Sequence, residues 1–296
     1  MKPRLAGVGF TLVELLVVIS VVALLMSILL PVLGRARDTA KGLAVLSAGR
    51  QLMMGYSVYQ SDHKGHVLYG YVPNAPDTID GTVPEIVEPI TGHVLHGQAV
   101  SRYPGRLLPY VGSLWEILQV HAAEAIEKPA PGDSPSQAFI KAYALGTNPT
   151  FGLNTVYLGG DRNYGGFLHQ GGTLYTPAYG DPRIVFYNHR VRQPSQLVTF
   201  ATAGSLTMLG ATGSAEPGFH RINSPRLAGH AIWTARGDRT QILAGPSDFA
   251  VPLGHFDPRP AVAYFDGHLA REPVDRLDDM RRWANSATHD TDDPFN

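Results

Sequence analysis

The sequence predicts an α+β fold: a long N-terminal hydrophobic helix followed by a mainly antiparallel-sheet globular domain. Three observations carry that expectation. Phe10 to Leu33 is apolar almost without interruption. Residues 35–62 keep apolar side chains mostly at three- and four-residue steps. From Asp62 onward, short apolar runs alternate with glycine, proline, asparagine and aspartate. The 296 residues are 44% hydrophobic and 17% charged with a formal net charge of -1, which excludes a disordered chain and a basic nucleic-acid-binding surface. No cysteine is present, so neither disulfides nor thiolate metal ligands contribute, and stability rests on burial and backbone pairing.

The first element begins behind a short basic leader. Residues 1–9, MKPRLAGVG, hold Lys2 and Arg4 and no acid. The 21 residues from Phe10 to Leu30 would reach about 30 Å as a helix, the thickness of a bilayer's hydrocarbon core. A secretory signal peptide has a shorter apolar region, about 7–15 residues, and a small-x-small cleavage site, whereas here Pro31, Arg35 and Arg37 follow. By the positive-inside bias Lys2 and Arg4 stay cytoplasmic, so the rest of the chain is expected on the far side of one crossing.

Glu14 interrupts the apolar run, and a carboxylate costs about 2.5–3.5 kcal/mol at a membrane centre, less near an interface. GFTLVELLVVISVVALLMSILLPVLGRAR resembles the prepilin cleavage and methylation motif shared by type IV pilins and type II secretion pseudopilins. The resemblance implies that a prepilin peptidase cuts after Gly9 and that Phe10 becomes the N-methylated terminus. It also implies that Glu14 pairs with the amine of a neighbouring subunit during assembly, and that Pro31 loosens or kinks the helix as pilin helices do. Partners implied are the peptidase, other pilin-like subunits and the bacterial inner membrane. The resemblance covers only about residues 5–37 and leaves the outer domain's task open.

The remainder is expected to divide into a continuation of the helix to residue 61, an extracytoplasmic α+β domain over 62–285 and a flexible acidic tail over 286–296. In the continuation, Leu43, Leu46, Met53, Tyr56 and Tyr59 form the predicted buried stripe, while Gly42, Gly49 and Gly55 each weaken a helix by about 1 kcal/mol relative to alanine. One further helix is predicted over Ser113–Lys128, with Ser113 and Glu116 as its capping box, and PAPGDSPSQ after it reads as an exposed loop. Candidate strands are 153–158, 183–188, 196–201, 231–235 and 241–244. Asp266-Gly267 between AVAYF and HLARE predicts a hairpin over 261–271 with a two-residue type I′ turn.

GHFDPRPAVAYFDGHLARE resembles the C-terminal His-then-Asp-Gly-His signature of a bacterial pseudopilin-like family, although ten residues separate His255 from Asp266 where that family has nine. GLNTVYLGG and RQPSQLVTFA are loosely similar to the same family's core strands. His255, Asp257, Asp266 and His268 are the residue types that could converge on a metal, but the turn itself asks for Asp266, and no metal is expected there. Major pseudopilins often bind calcium in a C-terminal loop. The acids here, Asp275, Asp278, Asp279, Asp290, Asp292 and Asp293, lack the Asp-x-Asp-x-Asp-Gly spacing of a dedicated calcium loop, so no cofactor is expected. Without a nucleophile elbow, a zinc-protease helix motif or a phosphate loop, the chain reads as a subunit and not an enzyme. The rival expectation is that the same helix merely displays a binding or enzymatic domain.

Overall fold

A computed structural model of the chain describes residues 11–70, 86–112, 114–120, 127–160, 167–168, 174–175, 183–205, 216–227, 230–231, 233–235, 242–244, 250–252, 254, 257 and 259–292. The fold is α+β, and it divides into two compact units, Met1–Lys41 and Gly42–Asn296. Helix α1, Leu12–Asp62, supplies the described part of the first unit and the opening element of the second. Every residue from 11 to 40 is exposed. The α-helix passes through Pro31 without interruption, although proline has no N–H to give the preceding turn.

Within the second unit, α1 buries Val45, Ala48, Leu52, Met53, Tyr56 and Tyr59, a stripe at three- and four-residue steps. Leu43, expected in that stripe, is instead 61% exposed, because the buried face is centred on the three glycines. A Cβ on Gly49 would meet Leu269 and lie 2.9 Å from the Phe151 ring, one on Gly55 would lie 2.7 Å from Val111, and one on Gly42 would meet the Arg271 guanidinium. The glycines therefore lower helix propensity and in return let the helix backbone approach its neighbours, the contact that a side chain would block.

Helices α2 (Tyr103–Val111), α3 (Leu114–Leu118) and α4 (Pro135–Thr147) follow. The expected long helix over 113–128 is corrected: α3 ends at Leu118 and gives way to a turn at 119–120, while 113 and 121–126 lie outside the described residues. The end of the supposed loop PAPGDSPSQ starts α4. Ser134 accepts from the Gln137 N–H, Gln137 answers the Ser134 N–H at 2.9 Å, and Pro135 takes the first turn. This is the S-x-x-Q form of the capping box, and proline at its second position made it look like a loop.

The sheet is organised around the strand Val198–Ser205. Its first half lies between Phe151–Leu153 and Ala261–Tyr264; its second half between Glu216–Pro217 and Ala250–Pro252, all antiparallel. Leu269–Arg271 extends the sheet beyond Ala261–Tyr264. Both faces are covered. Phe200, Ala261 and Ala263 pack in the cluster that includes α1 and α2, whereas Val198, Val262 and Tyr264 face Val274, Leu277, Met280 and Trp283 from the end of the chain. A register shift next to Tyr264 lets Val198 and Ala201 share one face.

The other strand expectations meet mixed outcomes. Residues 154–158 form a turn after Leu153, and 183–188 contribute bridges at Val185 and Tyr187 but no strand. Trp233–Ala235 and Ile242–Ala244 fall within the predicted strands 231–235 and 241–244, and they pair antiparallel. The hairpin over 261–271 is present, with Ala261 opposite Arg271 and Ala263 opposite Leu269. Its turn differs from the expected type. Gly267 N donates to Tyr264 O at 2.9 Å and Tyr264 N to His268 O at 3.0 Å, closing a three-residue loop in which Gly267 alone has positive φ, +93°. A type I′ turn would require Asp266 in that region too, and the bulged turn spares it.

Candidate functional site

Two sets of residues come from the sequence reading, and they sit in different units. The first is the head of α1. Thr11 is its N-cap in function: Thr11 N and Thr11 Oγ1 donate to Glu14 Oε2 at 2.9 and 2.8 Å, and Glu14 N donates to Thr11 Oγ1 at 3.2 Å. These bonds form a reciprocal capping box that satisfies orphan donors of the first turn and gives the carboxylate partners within its own chain. Thr11-Leu12-Val13-Glu14 spells the T-x-x-E signature, a local signal overlooked behind the apolar pattern. Glu14 Oε1 has no partner among the described residues. Gly9 and Phe10 lie outside them.

Beyond Glu14 the helix offers an apolar surface with few polar atoms. Ser20 and Ser27 turn their hydroxyls back onto Val17 O and Leu24 O at 2.8 and 2.7 Å, so they add no unmet donors to the band. The helix is long and apolar enough to cross a membrane, and the apolar stretch is wholly exposed in the isolated chain. Arg35, Arg37 and Lys41 follow it within two turns.

The second set lies at the C-terminal hairpin. His255 is outside the described residues. Asp257 is held by Arg259, through Nε at 2.9 Å and Nη2 at 3.0 Å, with Arg271 at 3.5 Å. The Arg259 hydrogen bonds draw its carboxyl down to about 2 against the desolvation that opposes them. Asp266 Oδ1 accepts from His268 N at 3.1 Å and lies 2.6 Å from His268 Nδ1, while the His268 ring stacks on Tyr264 at 4.4 Å. Asp257 thus belongs to arginines and Asp266 to its own turn. The pairs do not converge, and among the described residues no three His, Cys, Asp or Glu side chains are placed to hold a metal ion.

Behind the hairpin, Tyr264 donates its hydroxyl to buried Glu272 at 3.0 Å and accepts from Arg282 at 2.7 Å; Arg276 reaches Glu272 at 3.3 Å. Burial raises the Tyr264 hydroxyl well above its ordinary range. Three of the C-terminal acids are likewise committed. Asp279 clamps Arg281, Asp278 meets Arg226 at 3.4 Å, and Asp292 caps the N–H groups of Thr288 and His289. The segment to Asp292 is tied back to the domain by Met280 N to Asp290 O at 2.9 Å, where a solvated tail was expected. No protein-family model, curated protein or solved structure matches the chain. A long apolar N-terminal helix and a separate sheet domain are compatible with pilin-like architecture.

Proposed function

We propose that this chain is a type IV pilin-like subunit, anchored in a bacterial inner membrane with its sheet domain outside. A prepilin peptidase removes residues 1–9 and leaves an N-methylated Phe10. The helix then joins other pilin-like subunits in a type II secretion or pilus-like assembly, and the chain acts as a structural subunit and not an enzyme. The observation that carries this reading is a single carboxylate at the head of an apolar helical stretch that is wholly exposed from residue 11 to 40, with Oε2 engaged by Thr11 and Oε1 without a partner among the described residues. A neighbour's terminal ammonium is a partner of the right charge for that open oxygen, and pairing lowers the cost of keeping both groups in a membrane.

The test is a mass measurement followed by a substitution. Native protein from membranes should begin at methylated Phe10, having lost Lys2 and Arg4, so that the formal charge passes from -1 to -3. Glu14→Gln keeps the size and the Thr11 hydrogen bonds; it should insert and be cleaved as the wild type yet lose the cross-linked oligomer ladder. An intact leader, or equal ladders from both proteins, would overturn the reading. The second reading is of a helix used only to display a binding or enzymatic domain. It draws support from the size of the Gly42–Asn296 unit, and equal ladders would favour it.

A further inference from the structure

A polar cleft of about 450 Å³ opens in the sheet domain between the loop 191–197 and the C-terminal segment 281–288. The walls are built from chain segments nearly a hundred residues apart and are bolted together. Asn285 Oδ1 accepts from Arg192 N at 2.7 Å, and Asn285 Nδ2 donates to Arg190 O at 3.0 Å, so one amide fixes both walls. On the far side of the loop, Phe265 N donates to Leu197 O at 2.9 Å and Asp266 N to Pro194 O at 3.2 Å, which makes the hairpin turn a buttress. Trp283 anchors the other wall: its ring is fully buried, its Nε1 donates to Leu277 O at 2.7 Å, and its carbonyl accepts from Asn154 Nδ2 at 3.0 Å.

Arginines stand on both walls of this frame, and among the described residues no carboxylate lines it. The Arg192 guanidinium and the Gln193 and Gln196 amides are exposed and make no hydrogen bond or ion pair among the described residues. Arg281 is clamped by Asp279 through Nε and Nη2, which neutralises much of its charge and leaves Nη1 as its bonding edge. The floor is apolar, from Leu197 and Ala284. Asn285, Leu197 and Trp283 are therefore used in building the cleft, whereas Arg192, Gln193 and Gln196 are held at its mouth with their polar groups unspent.

We infer that this cleft binds an acidic peptide segment of a partner protein, with a carboxylate on Arg192. A planar guanidinium matches a carboxylate with two parallel hydrogen bonds. Primary amides offer a donor and an acceptor each, which suits backbone peptide groups on either side of the acidic residue. The methyl-lined floor accepts a small apolar side chain, and among the described residues no aromatic ring on which a sugar would stack lines the cleft. The volume lies in the range of specific ligand sites. This binding would belong to the outer domain alone and goes beyond assembly through α1.

The probe is a fluorescent, end-blocked peptide Gly-Ser-Glu-Ala-Gly and its Glu-to-Gln counterpart, titrated against the full chain in detergent micelles at low ionic strength. The Glu peptide should bind saturably and about tenfold more tightly than the Gln peptide, the scale of one charge-assisted bidentate contact. Arg192→Gln should lose about that factor and no longer separate the two peptides. Gln196→Glu, at an exposed position with little effect on folding, should weaken the Glu peptide through repulsion. Arg276→Gln removes the same charge outside the cleft and should leave binding unchanged. Absence of saturable binding, equal affinity for both peptides, or an equal loss in Arg276→Gln would overturn the proposal. So would tighter binding of inorganic phosphate or of an oligouronate, the first marking a plain anion site and the second a saccharide site.

Discussion

At the residue scale, Asp257 carries a measurable pH dependence. Its folded pKa, about 2, lies below the ordinary 3.8, so its contribution is complete above about pH 4 and drains away as pH falls towards 2. The Arg259 side chain is 53% exposed, and solvent screening holds the pair to about 1 kcal/mol or less. Asp257→Asn should lower urea-denaturation stability by that amount at pH 7, with the gap to wild type closing between pH 4 and pH 2. A constant gap over that interval would show that the lost quantity is packing and not charge. Asp257 illustrates what residue types leave open. Carboxylates and imidazoles in the same phrase of sequence are the types that could share a site, though none was expected there; Arg259 and Arg271, the latter fourteen positions on, hold the Asp257 carboxylate. The cleft was less legible still, because Arg192 and Asn285 meet only after the sheet has closed.

At the element scale, the glycines of α1 decide between propensity and approach. Gly49→Ala gains about 1 kcal/mol of helix propensity, but its methyl meets Leu269 and the Phe151 ring, and overpacking costs roughly 1–3 kcal/mol. The variant should be less stable than wild type in chemical denaturation; a gain would mean that Leu269 swings clear and that the close approach is incidental. Local signals fared according to how few alternatives they permit. A nearly uninterrupted apolar run at helical length permits little else, and the first element was readable to within a few residues. Asp266-Gly267 named the hairpin, and the turn type was settled by which residue had to adopt positive φ. Tyr103–Val111 was missed because Pro104, Gly105 and Pro109 all argue against a helix. Pro104 occupies the first turn, where no N–H is needed, and a side chain on Gly105 would strike Ala99 O.

At the scale of the whole molecule, the expected boundary at 61/62 and the observed division at 41/42 make different demands. Val45, Leu52, Met53, Tyr56 and Tyr59 of α1 lie in the main hydrophobic cluster of the second unit, so the helix after Gly42 is a core element of that unit. A fragment of residues 42–296 should be soluble without detergent and unfold in one cooperative transition. A fragment starting at 62 should lose that transition and aggregate, since it forfeits several buried side chains worth about 2–5 kcal/mol each. Circular dichroism during a thermal scan distinguishes the two, and a cooperative 62–296 fragment would return the boundary to the end of the helix.

The central strand Val198–Ser205 also sets a timetable. Among the described residues, one of its partners, Phe151–Leu153, comes earlier in the chain, while Glu216–Pro217, Ala250–Pro252 and Ala261–Tyr264 come later. Its second face waits longer still, until Trp283 emerges. A chain delivered from its N-terminus therefore cannot settle while most of it is being made. Pairings this distant form slowly, because the entropy of closing long loops is spent before the contacts return it. That delay leaves the polypeptide behind the helix pliable while it is being made, and it sets into shape only once its last turns have arrived.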